Sequence, residues 1–242
     1  IAVSSDCVLN CRYCLIDKNA RETISPGCAQ RAVRCFLASP GNIKKLEVYG
    51  GEPLLKFELV KKICKSALDM AARAGKVLSI SLATNGVLLE ERHLEFLKEN
   101  NIHLSISISG SKESHDSCRV FPNGEGSFDR VAGNLPKAFG ILGKRAVDAL
   151  FVVHPQKAGK MFEDFKSLVS LGFENINVEC VHGVRWSKRN IEDFVSNIRK
   201  VGRYVFERID AGRYVLIETF LAALDRKSSA RDVCPFDCDL EG

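Results

Sequence analysis

The chain has 242 residues with a net charge of +5, 45% hydrophobic and 27% charged side chains, a balance that excludes a disordered polyelectrolyte and supplies enough apolar material for one α/β core. Its ten cysteines are too sparse for a small secreted disulfide scaffold. No apolar run is long enough to span a membrane, residues 1–5 are too short for a signal core, and the basic side chains are scattered along helical segments, so a reducing cytoplasm is expected and membrane or nucleic-acid partners are not.

Residues 1–4 predict a first short strand. Behind it comes CVLNCRYC, with Cys7, Cys11 and Cys14 separated by three and then two residues. Three thiolates on one compact loop can hold three irons of a cubic four-iron, four-sulfur cluster and leave the fourth iron open for a ligand. A zinc knuckle or a loop of unrelated buried thiols is the competing reading of the bare spacing. Pro26 marks a helix start. Cys28, Cys35 and Cys64 fall in helical patterns beside alanine, valine and isoleucine and read as small buried thiols.

The second strand, 45–49, runs into Gly50, Gly51, Glu52 and Pro53. Paired glycines let backbone approach a ligand closely, and the carbonyls there, with the Glu52 carboxylate, offer an ammonium group a charge-assisted site. Helix 57–73 carries apolar residues at helical spacing, and Gly75 stands where its stop is expected. The third strand, 77–83, leads to Thr84, Asn85 and Gly86. Asn-Gly is a common turn pair, but at a strand end Asn85 is also a candidate polar contact to a cofactor or substrate.

Helix 90–98 precedes strand 103–107 in the run SISISG. Alternation along an exposed strand face explains Ser105, whereas Ser107 offers its hydroxyl to a carboxylate. HDSCR follows, with His115, Asp116, Cys118 and Arg119, and then GEGSFDRV. Cys118 reads as an incidental thiol. Helix 127–139, strand 146–153, helix 160–171, strand 175–180 and helix 191–208 complete the alternation. His154, before Pro155, suits a turn or a ligand contact. Trp186 and Arg185 suit either a substrate opening or a loop anchor, and a lone tryptophan favours the anchor. A helical pattern at 218–225 precedes Cys234 and Cys238 in CPFDC.

Six successive βα units predict an α/β fold with a mostly parallel open sheet, a partial (β/α)6 TIM-like barrel. Two units short of closure, it should bind ligands at the carboxyl ends of its strands. The cysteine loop, GGEP, TNG and Ser107 with its following glycine all fall at such ends.

CxxxCxxC followed by GGEP resembles the radical S-adenosylmethionine (SAM) superfamily. HDSCR after SISISG resembles the subgroup that matures peptides and proteins, which includes anaerobic sulfatase maturases and relatives with a SPASM or twitch extension. The resemblance implies a 4Fe-4S cluster on Cys7, Cys11 and Cys14 and SAM chelated at its open iron. It further implies Tyr13 near the adenine, Gly50, Gly51, Glu52 and Pro53 at the ammonium, Ser107 and Arg119 at the methionyl carboxylate, and Asn85 and Val181 as further cofactor contacts. Bidentate pairing with a carboxylate suits a guanidinium. Reductive cleavage would give a 5′-deoxyadenosyl radical that acts on a peptide or protein side chain, with an electron donor such as flavodoxin or ferredoxin.

One position departs from the subgroup: Ser109 stands where relatives carry aspartate. Cys234 and Cys238 match the region of auxiliary iron-sulfur clusters, although a complete cluster takes four protein cysteines. The expected division is a barrel core at 1–212, then at 213–242 a C-terminal helix and the start of a truncated SPASM- or twitch-like extension. Maturation of haem or another small-molecule cofactor is the alternative within the same chemistry, and a non-catalytic metal-binding regulatory module is the alternative outside it.

Overall fold

The computed structural model describes residues 1–17 and 19–217. Five strands, β1 (Ile43–Val48), β2 (Val77–Thr84), β3 (His103–Ser107), β4 (Val147–Val153) and β5 (Asn175–Cys180), form one sheet in sequence order, each neighbouring pair parallel. Parallel neighbours need crossovers, and helices supply them. α1 (Pro26–Ala38) precedes β1; α2 (Phe57–Arg73) and α3 (Glu91–Glu99) link the first three strands. α4 (Lys112–Asp116) and α5 (Phe128–Leu142) lead into β4, α6 (Met161–Ser170) into β5, and α7 (Lys188–Asp210) follows. This is the expected α/β partial TIM-like barrel.

Local chemistry sets the helix ends. Ser25 caps α1 by accepting from the Cys28 N–H (3.2 Å), and Pro26 sits in the first turn, where its missing N–H costs nothing. α2 matches its predicted limits and stops just before Gly75, whose φ of +64° favours glycine. On the helix-covered face of the sheet, Leu82, Leu104 and Ile106 are fully buried, each contributing about 1.5–3 kcal/mol. The opposite face carries Glu47, Ser81, Ser105, Asp148, Asn177 and Glu179 around a cavity of about 490 Å³.

Three expectations change. Residues 1–4 do not build a sixth strand: Val3 donates to the Tyr49 carbonyl (2.8 Å), but its own carbonyl turns to the Ile24 N–H (2.9 Å). With its groups divided between two neighbours, the segment makes only single bridges, Ala2 to Tyr49 and Ser4 to Thr23. Cys28 and Cys35 are exposed, because α1 turns Ala29, Val33 and Leu37 inward and the two thiols lie off that stripe. Cys64 is buried as expected, and burial pushes its thiol up to about 12.

After α7 the chain returns to the sheet, where Leu216 bridges Asn175 and accepts from the Ile176 N–H (3.0 Å). The helical pattern at 218–225 and Cys234 and Cys238 lie outside the described residues. Among those described, no helix is long and apolar enough to cross a membrane.

Candidate functional site

The rim is built where β1 ends against the N-terminal segment. Gly51 donates to the Ser4 carbonyl and Glu52 to the Asp6 carbonyl, both at 2.7 Å. A Cβ on Gly51 would lie 2.2 Å from the Asp6 carbonyl oxygen, and one on Gly50, where φ is +147°, 2.6 Å from that of Ser4. These glycines, expected to make room for a ligand, make room for the backbone that delivers the cysteine loop. An ion pair between Lys56 and Asp6 (2.9 Å) adds a side-chain tie one residue before Cys7.

Glu52 is 0% exposed. Its Oε1 accepts from the Leu54 N–H (3.0 Å) and the Thr84 hydroxyl (2.7 Å), and its Oε2 from the Asn85 N–H (2.8 Å). The carboxylate expected at an ammonium is thus engaged by three protein donors and joins the GGEP loop to the TNG loop. Burial raises its pKa, and the three hydrogen bonds oppose that rise. Thr84 Oγ1 also accepts from the Gly86 N–H (3.1 Å), and Asn85 Oδ1 from the Val87 N–H (2.9 Å). The Asn85 side-chain amide reaches Cys7 Sγ at 3.6 Å.

The cysteine loop is pinned by its backbone. Asn10 donates to the Val120 carbonyl (2.7 Å), Arg12 to that of Cys118 (2.9 Å) and Cys14 to that of Cys11 (3.2 Å). Leu15 packs on the loop after β5, where a Cβ on Gly183 would meet its Cδ2 at 2.9 Å. Cys7, Cys11 and Cys14 carry no disulfide, with Cys14 exposed and the other two half-buried. Among the described residues, no three His, Cys, Asp or Glu side chains converge as metal ligands. The donor set fits an iron-sulfur cluster by chemistry, three soft sulfurs on one accessible loop, and closure of such ligands is commonly coupled to metal binding.

HDSCR forms the second half of the rim. His115 is fully buried, with Nδ1 accepting from the Ser109 N–H (3.2 Å). The ring proton therefore sits on Nε2, which donates to Ser127 Oγ (2.9 Å), and that hydroxyl donates to the Arg119 carbonyl (2.9 Å). Burial first, then the charges of Arg119 and Lys112, push the His115 pKa down to about 3, so the imidazole is a neutral structural link. Asp116 accepts from the Phe128 N–H (2.9 Å) at the start of α5.

Arg119 is the member of the motif that faces the cysteine loop. Its guanidinium lies over the Tyr13 ring, 5.4 Å from the centroid, and its Nε donates to Ser109 Oγ (3.2 Å). Ser109, the departure from the subgroup pattern, thus holds the arginine through a hydroxyl. The Tyr13 hydroxyl is buried and makes no well-formed hydrogen bond among the described residues, although the Ser109 side chain lies close enough to interact with it. It borders a cavity of about 10 Å³, also lined by Ser109, Ser114 and Asp164. Burial raises the phenol pKa, and the Arg119 charge opposes it. An aromatic ring and a guanidinium beside the cysteine loop fit a ligand that carries both a purine and an amino-acid carboxylate.

The other predicted residues are placed less centrally. Ser107 ends β3 opposite Leu150. Val181 is buried, with its N–H donating to the Val153 carbonyl (3.0 Å) and its carbonyl accepting from Trp186 Nε1 (3.1 Å). Trp186 is therefore a loop anchor, stacked edge-on with Phe194 at 5.8 Å. His154 caps the following turn by accepting from the Gln156 N–H (3.3 Å). Sequence reasoning missed Asp164, a buried carboxylate on α6 that accepts from the N–H (3.0 Å) and hydroxyl (2.6 Å) of Ser111. Gly110, with φ +82°, admits it closely, since a Cβ there would lie 2.2 Å from Asp164 Cβ. Alternation at Ser105 pointed to one polar strand face, but sequence reasoning did not extend it to Lys45 and Glu47, Ser79 and Ser81, or Asn175 and Asn177, which together line the open face of the sheet.

Comparison with known proteins follows the same lines. The profile of the Radical SAM superfamily matches residues 1–169. The uncharacterized protein MJ0907 of Methanocaldococcus jannaschii is 29% identical over 216 residues, covering 84% of this chain and 71% of that protein. A cysteine-type anaerobic sulfatase-maturating enzyme of Clostridium novyi is 27% identical over 235 residues, covering 90% of this chain and 61% of the enzyme. Among solved structures, native anSMEcpe with bound AdoMet and Kp18Cys peptide superposes with a TM-score of 0.78 at 22% identity, covering 96% of this chain and 66% of that one. That likeness shows the fold, and the chain spans about two thirds of these relatives' lengths.

Proposed function

The chain belongs to the radical SAM superfamily, and from that premise we propose that it reductively cleaves S-adenosylmethionine at a 4Fe-4S cluster, giving a 5′-deoxyadenosyl radical that modifies a peptide or protein side chain. The observation that carries this reading is the Glu52 junction, where one buried carboxylate unites the GGEP loop, the TNG loop and, through the Asn85 amide, the first cysteine. Three separately encoded motifs meet at one rim.

When bound, the cluster supplies the electron that breaks the sulfonium bond. The protein's part is placement. Cys7, Cys11 and Cys14 would hold the metal, the backbone around Gly50 and Gly51 would face the ammonium, and Arg119 with Ser107 would orient the carboxylate. Tyr13 would lie against the adenine. The polar cavity of about 490 Å³ on the open face of the sheet offers hydrogen-bonding space for a substrate side chain, and an opening too polar to pack as a closed barrel core suits an incoming segment.

Peptide-bound anSMEcpe and the sulfatase-maturating relative support a peptide as the substrate class. The test is anoxic incubation of the reconstituted enzyme with SAM, dithionite and cysteine- or serine-containing candidate peptides, read by peptide mass. A SAM-dependent mass change with accompanying 5′-deoxyadenosine is expected. Abortive SAM cleavage with every peptide left unmodified, but turnover of a small-molecule substrate, would remove the peptide assignment.

A further inference from the structure

We infer that Asn85 is a redox-positioning residue whose side-chain amide donates to Cys7 Sγ and raises the reduction potential of a cluster held there. The inference rests on the radical SAM reading and goes beyond it, since Asn85 entered as a contact to cofactor or substrate and the structure turns it toward a cysteine.

The orientation of the amide is fixed on both sides. Oδ1 accepts from the Val87 N–H (2.9 Å), which leaves Nδ2 to face Cys7 Sγ at 3.6 Å. Flipping the amide would set Nδ2 against the Val87 N–H and Oδ1 against the thiolate, both repulsive. The backbone is held as firmly, because the Asn85 N–H donates to the fully buried Glu52 carboxylate and the neighbouring Thr84 hydroxyl does the same. A donor supported in this way is preorganised, and partners around metal ligands tune the metal as well as orient them.

The sign follows from charge. Reduction adds one electron, supplied by an external one-electron donor, and increases negative charge on the cluster and its cysteine sulfurs. A hydrogen-bond donor at sulfur stabilises the reduced state more than the oxidised state, so its loss makes reduction harder. Cys7 Sγ also accepts from the Leu9 N–H (3.4 Å), a contact internal to the loop that substitution at Asn85 leaves in place.

The test is an EPR-monitored redox titration, with dithionite and viologen mediators, of anoxically reconstituted wild type, Asn85→Asp and Asn85→Leu. Aspartate keeps the acceptor for Val87 and loses the donor; leucine loses both without adding charge. Each variant should show about a tenfold lower ratio of reduced to oxidised cluster at fixed ambient potential, about 59 mV for a one-electron couple. Midpoints equal to wild type in cluster-loaded variants would overturn the inference. Labelling with ¹⁵N-asparagine gives a second reading: pulsed EPR of the reduced cluster should show a ¹⁵N hyperfine coupling that Asn85→Leu loses while any coupling from Asn10 in the cysteine loop stays, and a spectrum unchanged by the substitution would also overturn the inference. Failure of wild type to take up any cluster would instead overturn the radical SAM reading itself.

Discussion

His115 makes the stability of the cluster-free protein depend on pH in a way that can be isolated. Its folded pKa of about 3 lies below the ordinary value of 6.5 because the ring is fully buried. Above pH 6.5 neither the folded nor the unfolded chain protonates it, and its contribution is fully present. As pH falls below 6.5 the unfolded imidazole takes up a proton that the folded one refuses, so stability is lost at about 1.4 kcal/mol per unit until about pH 3. From pH 6.5 to about 4.5 the loss is on the order of 3 kcal/mol. Glu52, whose burial raises its pKa, acts in the opposite sense, gaining stability as pH falls through its own range. Comparison with His115→Asn cancels that and every other shared titration. The variant keeps an acceptor for the Ser109 N–H but loses the Ser127 bond and the edge contact with Phe128 at 5.6 Å, so near pH 7 it should be the less stable protein. Urea unfolding near pH 4.5 should show the gap narrowed by about 3 kcal/mol. A gap that stays constant with pH would refute the buried, neutral assignment.

Three further outcomes follow from the rim. Gly51→Ala places a Cβ against the backbone of Ser5 and Asp6, 2.2 Å from the Asp6 carbonyl oxygen, so it should destabilise by about 2–4 kcal/mol in urea titration and lower iron uptake, because backbone cannot yield as a flexible side chain does; wild-type stability would contradict the close approach. Glu52→Ala orphans three buried donors and should lower stability by about 2–4 kcal/mol, with a change under about half a kcal/mol counting against the junction. Arg119→Ala should weaken SAM binding about ten- to hundredfold in anoxic calorimetry of cluster-loaded enzyme, and an unchanged affinity would separate the guanidinium from the carboxylate.

Much of the framework was legible in the sequence because the signals were local. Helix 57–73 could be read from its apolar spacing and Gly75, and strands 103–107 and 175–180 from the alternation of Leu104 and Ile106, and of Ile176 and Val178, with polar residues. The spacing of Cys7, Cys11 and Cys14 and the GGEP that follows stand out as motifs in the sequence itself. What stayed hidden depends on partners far along the chain. Glu52 looks like a ligand contact until Thr84 and Asn85, more than thirty residues later, are seen to donate to it. Gly50 and Gly51 signal close approach without saying to what, and the answer is the stem at Ser4 and Asp6. Asp164 lies in an ordinary first helical turn, and only the fold brings it to Ser111. The same holds for α1, where apolar neighbours in sequence did not reveal that Cys28 and Cys35 face solvent.

The most direct measurement is 5′-deoxyadenosine formation by anoxically reconstituted protein given SAM and dithionite, quantified by mass spectrometry beside Cys11→Ala. The account predicts steady product from wild type and none from the variant, which lacks one of three metal anchors. Iron-loaded wild type that yields no product, or a variant that matches it, would contradict the claim that this rim cleaves SAM.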